Sequence, residues 1–152
     1  MSSKAPKTKE EIEEMLRLVR KKITPQTEGQ GVLEFLCTKF TYRSRKDWQE
    51  ALLDGSSQIN GKQVEDYDYV LKAGDIVSLD VTNIPEPDID RDFKIIYEDD
   101  DILMVEKTGD LPVHPAGSFF KHTLWYMLVE QYGNIHIMNR LDRETSGLVL
   151  IA

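Results

Sequence analysis

The sequence has few of the residues that build covalent or metal-bound sites. Of its 152 residues one is a cysteine, Cys37, and three are histidines. A single cysteine excludes an internal disulfide and any multi-cysteine metal site. There is no glycine-rich phosphate loop, and the three aspartates at 99–101 lack the spaced acids and the glycine of a calcium loop. We therefore expect neither a metal nor a cofactor.

Long apolar runs and an excess of positive charge are also missing. No run approaches the ~20 residues of a membrane span, and the first six residues contain no secretory signal. We therefore expect a cytoplasmic protein without a membrane partner. The net charge is -8; residues 1–84 carry 13 lysines and arginines against 14 acids, and residues 85–152 carry 6 against 13. Any affinity for nucleic acid would come from local patches rather than from a basic global field.

The first thirty residues predict a tail, a helix and a linker. Residues 1–9 are small, polar and basic. Thr8 is a candidate N-cap with Glu11 three residues later, and the pattern predicts a helix that continues to Lys22. Pro25 and the glycines that follow it indicate a linker over 24–31.

Residues 31–84 predict a compact domain. Apolar residues from Val32 to Phe40 suit one helix, and Ser44 can cap a second helix that ends near Gly55. Asn60-Gly61 is a strong signal for a two-residue β-hairpin. Residues 76–81 predict a further strand.

Residues 85–152 predict a second domain, because Pro85 and Pro87 lie in an acidic boundary segment. Within it we expect two strands over 93–107, a helix from Thr123, and a strand over 135–138. The predicted fold class is α+β, with a small two-helix and hairpin domain followed by a mixed or antiparallel sheet.

The last fourteen residues hold the strongest candidate for chemistry. Asp142 lies between Arg140 and Arg143, and the turn residues 145–147 separate it from the apolar run 148–152. That run predicts a strand buried on both faces, so Asp142 would lie at a sheet end, where open sheets bind ligands. A carboxylate beside two cations should stay ionised and can act as a nucleophile or a base. The alternative is a surface aspartate paired with an arginine.

The string Arg140-Leu141-Asp142-x-x-Thr145-Ser146-Gly147-Leu148 resembles the signature of RluA-type RNA pseudouridine synthases. The segments 96–103 and 111–115 resemble the opening of the same catalytic domain. The resemblance implies isomerisation of uridine to pseudouridine in rRNA or tRNA, with Asp142 as catalytic nucleophile or base. It implies that Arg140 enters the space left by a flipped-out uridine, and that Arg143 is a phosphate contact or the partner of Asp142. The candidate substrate-binding residues are Asn139, Arg140, Arg143 and Thr145, and His114 is a loop-organising or RNA-facing histidine.

The order of two helices, an Asn-Gly-Lys hairpin and a Gly-Asp strand resembles the RNA-binding domain first seen in ribosomal protein S-four. The resemblance implies that the N-terminus of the second helix and the hairpin face RNA, where helix amides also favour phosphate. Such contacts would position RNA without reading its sequence. The alternative is a solvated basic helix start. The candidate RNA-binding residues are Arg43, Ser44, Arg45, Lys46, Asn60 and Lys62.

The end of the sequence leaves two functions open. RluA-type catalytic domains continue beyond the aspartate motif and supply there a tyrosine and a basic residue that complete the uracil site. We therefore expect this chain to be a fragment with little activity by itself. We also expect it to be a monomer. It is either part of an RNA pseudouridine synthase or a non-catalytic RNA-binding module of the S-four type, with RNA as partner in both cases.

Overall fold

In a computed structural model that describes residues 7–152, the protein has an α+β fold with two antiparallel sheets. The sheets have the strand orders β1-β4-β2-β3 and β5-β6-β7. The chain divides into two compact units, one of Arg17–Ile84 and one of the chain up to Leu16 together with Pro85–Ala152. In chain order the elements are α1 (Lys9–Arg17), β1 (Leu18–Lys22), α2 (Val32–Lys39), α3 (Arg45–Leu53), β2 (Ser57–Ile59), β3 (Lys62–Gln63), β4 (Ile76–Asp80), β5 (Phe93–Glu98), β6 (Leu103–Lys107), α4 (Leu124–Tyr132) and β7 (Gly147–Ile151).

The first helix is shorter than the sequence predicts. α1 ends at Arg17, and β1 follows at once and pairs with β4, from Leu18 opposite Asp80 to Lys22 opposite Ile76. The prediction of helix over 18–22 is therefore wrong. Val19 packs against the core of this unit, so strand pairing with a distant part of the chain overrides the local helical pattern.

The helix start and the hairpin of the Arg17–Ile84 unit are confirmed. The Ser44 hydroxyl accepts the N–H of Asp47 at 3.2 Å, and the Asp47 carboxylate accepts the N–H of Ser44 at 3.2 Å. This reciprocal capping box satisfies two amides at the start of α3. Asn60 and Gly61 have φ angles of 52° and 76°, the left-handed conformation that a tight two-residue hairpin turn requires.

The core of the Arg17–Ile84 unit is built around Trp48, which is completely buried. The centroid of its ring lies 5.8 Å from that of Phe40 and 6.0 Å from that of Tyr42. Its Nε1 donates a hydrogen bond to the Phe40 carbonyl at 3.2 Å. The indole therefore joins α3 to the segment that follows α2.

The sheet β5-β6-β7 has one covered face. β7 alternates between buried residues, such as Val149, and exposed ones, such as Leu148 at 51% exposure. The prediction of a strand buried on both faces is therefore wrong, because an antiparallel sheet covered on one side alternates in this way. The buried members of this core are Leu103, Val105, Leu111, Val113, Leu124, Leu128, Val149 and Ile151.

The segment before the aspartate motif runs beside β7 without forming the predicted strand. Ile137 makes one isolated bridge with Ile151, and His136 exchanges two backbone hydrogen bonds of 2.8 Å with Ala152. The N–H of Met138 donates to the Leu150 carbonyl at 2.8 Å. Regular backbone pairing stops at Met138, because the next residue, Asn139, bonds to β7 through its side chain.

Candidate active site

Asn139 fixes the start of the loop that carries Asp142, residues 139–146, which we call the Asp142 loop. Its Nδ2 donates to the Leu148 carbonyl at 3.1 Å, and its Oδ1 accepts the N–H of Leu150 at 2.8 Å. An amide side chain can do this because it has a donor and an acceptor side by side. The group expected to bind substrate is thus engaged with the backbone of β7.

A tight turn presents Asp142. The N–H of Thr145 donates to the Asp142 carbonyl at 3.0 Å, which closes a four-residue turn. Gly147 ends the loop at a φ of 148°, and a Cβ there would lie 3.3 Å from the Cδ1 atom of Leu141. Glycine is therefore required where the loop enters β7. Asp142 and Arg140 are both exposed, so a large substrate can reach them.

Arg143 has partners other than Asp142. Its Nε lies 3.6 Å from a carboxylate oxygen of Asp110 and 3.5 Å from one of Glu144. Its guanidinium carbon lies 5.3 Å from the centroid of the Phe119 ring. The sequence left two roles open for Arg143, a phosphate contact or the partner of Asp142. The contacts above correspond to neither role. Through Asp110 and Phe119 they connect the Asp142 loop to two neighbouring segments of the chain.

Lys107 belongs to this site, and sequence reasoning missed it. It is the last residue of β6 and is 1% exposed. Its Nζ donates to the carbonyl of Thr108 at 3.0 Å and to that of Arg143 at 3.1 Å. The strand alternation was the available signal, because Leu103, Val105 and Lys107 all fall on the buried face.

Burial and nearby acids act in opposite directions on Lys107. Burial lowers the pKa of its ammonium group and is the largest influence, while the carboxylates of Glu144, Asp110 and Asp142 oppose the change. His114 is also desolvated, and burial together with the Arg140 cation lowers the pKa of its imidazole. Both influences favour the neutral imidazole, and the role of His114, loop-organising or RNA-facing, stays a prediction.

The candidate RNA-binding residues at the start of α3 lie together, and each has a protein partner. Arg45 Nη1 lies 3.0 Å from Glu34 Oε2, and Lys46 Nζ lies 3.9 Å from Glu50 Oε1. The guanidinium carbon of Arg43 lies 4.7 Å from the centroid of the Trp48 ring. The Ser44 hydroxyl is used in the helix cap. These exposed ion pairs are weak and can exchange for phosphate.

The two hairpin candidates differ. The Asn60 amide donates to the Asp75 carboxylate at 2.9 Å and accepts the N–H of Ile76 at 2.9 Å, so it stabilises the junction of hairpin and β4. The hydrogen bond from the N–H of Lys72, which is the largest cause, and the one from the Asn60 amide lower the pKa of the Asp75 carboxyl. Lys62 is exposed on β3. Of the pair, Lys62 has the more accessible polar group.

Residues 7–152 contain no group of three or more histidine, cysteine or acidic side chains arranged to hold a metal ion. Within the same residues, no helix is both long and apolar enough to cross a membrane.

Several proteins similar to this chain are named as pseudouridine synthases. The chain is 30% identical to human pseudouridylate synthase RPUSD2 over 126 residues, which is 82% of this chain and 23% of that protein. It is 31% identical to the mitochondrial tRNA pseudouridine(32) synthase of Saccharomyces cerevisiae over 80% of this chain and 26% of that protein. It is 33% identical to ribosomal large subunit pseudouridine synthase D of Vibrio parahaemolyticus over 82% of this chain and 41% of that protein.

The chain therefore spans less than half the length of each of these relatives. No protein-family model matches it. The resemblance to RNA pseudouridine synthases expected from the motif is confirmed as a similarity over about four fifths of the chain.

Proposed function

We propose that this protein isomerises uridine to pseudouridine in RNA, with Asp142 as the catalytic residue. The observation that carries the proposal is an exposed carboxylate in a turn that is anchored to β7 by the Asn139 side chain at its start and continues into β7 at Gly147. Support also comes from the similarity to RNA pseudouridine synthases. The name of one relative specifies tRNA and that of another the ribosomal large subunit, and we propose tRNA or ribosomal RNA as substrate.

The proposed reaction breaks the bond between ribose C1′ and uracil N1, turns the uracil and joins C1′ to uracil C5. The proton lost from C5 is balanced by the proton gained at N1. Asp142 either attacks the anomeric carbon of the ribose or removes a neighbouring sugar proton. The target uridine must leave its stack, which costs a few kcal/mol. Arg140 is exposed two residues before Asp142 and is the proposed occupant of the vacated space. The isomerisation is redox-neutral, and we infer no cofactor.

The function is tested by mapping pseudouridines in cellular rRNA and tRNA with and without the gene. We expect one or more positions to return to uridine when the gene is deleted. The wild-type gene should restore them, and a gene carrying Asp142→Asn, expressed at the same level, should not. An unchanged map after deletion would exclude the proposed activity in those RNAs.

We also propose that the Arg17–Ile84 unit binds RNA through the start of α3, in the manner of an S-four-like domain. The support is a group of three cations, Arg43, Arg45 and Lys46, on one short stretch. Asp47 accepts the N–H of Ser44 and places a negative charge at this helix end. Phosphate contact here is therefore made by the cationic side chains rather than by the helix amides.

A cytoplasmic location and a monomeric state remain predictions from the sequence.

Charge reversal tests this second proposal. Changing Arg43, Arg45 and Lys46 to glutamate should weaken RNA affinity at least about tenfold and make binding less dependent on salt, because fewer counterions are released. The matched control reverses three exposed lysines elsewhere, Lys9, Lys39 and Lys72. Filter binding at several salt concentrations measures both sets. Equal losses in the two triple variants would mean that only net charge matters.

A further inference from the structure

Lys107 is the one charged side chain that is buried in the described part of the chain. It lies on the inner face of the sheet, opposite Phe93 on β5 and Gly147 on β7. An apolar side chain would fill this position with no electrostatic cost, whereas a buried ammonium group is unfavourable unless it is hydrogen-bonded. The charge therefore requires a reason beyond packing.

The hydrogen bonds of Lys107 indicate that reason. One acceptor, the Thr108 carbonyl, is its immediate neighbour, and the other, the Arg143 carbonyl, lies 36 positions further along the chain. Arg143 directly follows Asp142 and is a central residue of the turn closed by Thr145. The ammonium group thus connects the end of β6 to the backbone beside the candidate catalytic residue.

Two more contacts come from the residues that follow Lys107. A Cβ atom on Gly109 would lie 3.1 Å from the carbonyl oxygen of Glu144, so the two backbones touch there. The Asp110 carboxylate pairs with the Arg143 guanidinium group at 3.6 Å. The segment 107–110 therefore contacts the Asp142 loop at successive points, and Lys107 provides the buried one.

We propose that Lys107 is the positioning residue of Asp142. Its ammonium group holds the Arg143 carbonyl, and through it the turn 142–145, at a fixed place relative to β6. Lys107 acts on the geometry of the loop and does not touch substrate. The catalytic consequence rests on the proposed function of Asp142, whereas the effect on the loop does not.

The kinetic test replaces Lys107 with methionine in the full-length protein, which keeps the length of the side chain and removes its donors and charge. We expect kcat to fall about 100-fold, since a displacement of about 1 Å has that effect, while KM for RNA changes less than about twofold. Lys107→Arg retains a positive charge and hydrogen-bond donors. Its kcat should therefore be at least about ten times that of Lys107→Met. Lys94→Met, at an exposed lysine of β5, is the control and should change neither constant. A kcat of Lys107→Met within about twofold of wild type overturns the proposal.

A second measurement needs no activity. The amide of Thr145, which donates to the Asp142 carbonyl, should exchange with deuterium at least about tenfold faster in Lys107→Met than in wild type. The amide of Val149, in the middle of β7, should exchange at an unchanged rate. If wild type shows no activity on RNA, the proposed function fails and this comparison still decides the inference. Unchanged exchange at Thr145 overturns it.

A second variant covers the case in which Lys107→Met does not fold. Gly109→Ala leaves the ammonium group in place but pushes against the Glu144 carbonyl. We expect faster exchange at Thr145 and a kcat about tenfold lower, again with KM nearly unchanged. A folded Gly109→Ala protein with wild-type exchange and wild-type kcat would show that segment 107–110 does not position the loop.

Discussion

Replacing Asp142 with asparagine is expected to lower kcat/KM on RNA by about four orders of magnitude or more, the size of loss seen when a nucleophile or its essential partner is removed. Asparagine keeps the size of the side chain, and Asp142 is exposed, so the fold should not change. The amide, however, can neither attack an anomeric carbon nor accept a sugar proton. The loss is measured as the fraction of uridine converted in a substrate RNA, by chromatographic separation of uridine from pseudouridine after digestion, because the two isomers have the same mass.

The matched control for this experiment is Asp101→Asn. Asp101 is an exposed carboxylate in the turn between β5 and β6, and its replacement removes the same charge from the same unit. RNA affinity of both variants should stay within about twofold of wild type, since neither change removes a cation. If Asp142→Asn retained a tenth or more of the activity, Asp142 would be a surface residue and the catalytic group would lie elsewhere.

Replacing Trp48 with alanine is expected to destabilise the Arg17–Ile84 unit by about 3–5 kcal/mol. The side chain is 0% exposed, contacts the rings of Phe40 and Tyr42, and donates its indole N–H to a carbonyl. Alanine leaves a large cavity and an unpaired acceptor. Domains have only about 5–15 kcal/mol of net stability, so the unit and its RNA binding should be largely lost near body temperature. Urea titration followed by circular dichroism measures the change.

Leu53→Ala is the control for Trp48→Ala. Leu53 is in the same helix, α3, but is 52% exposed, and its truncation should change the free energy of unfolding by less than about 1 kcal/mol. A Trp48→Ala protein as stable as Leu53→Ala would mean that the core of this unit does not depend on the indole.

The parts of the fold that could be predicted are those encoded by short-range signals. The Ser44 cap, the Asn60-Gly61 turn and the apolar stripe of α4 each depend on residues only a few positions apart. The strands of the 93–107 hairpin were also predictable, because the acidic turn between them is short. These interactions form within the segment itself, so a reading of neighbouring residues is enough.

The errors concern pairing over long distances. Residues 18–22 became a strand because β4 is available to them. Residues 135–138 did not, because the Asn139 side chain takes over the hydrogen bonds to β7 after Met138. In the candidate site the motif predicted Asp142, but not the pairing of Arg143 with Asp110 or the bond from Lys107 to the Arg143 carbonyl. These contacts join segments more than thirty positions apart, and only the folded sheet brings them together.

The division of the chain into two units also separates its two tryptophans. Trp48 lies in the core of Arg17–Ile84, and Trp125 lies in α4, with its ring centroid 6.1 Å from that of Phe120. Each unit thus contains one intrinsic fluorophore, and in a Trp48→Phe or Trp125→Phe protein the emission spectrum follows a single unit. Optical melting curves of the two proteins therefore distinguish independent from concerted unfolding without any added label.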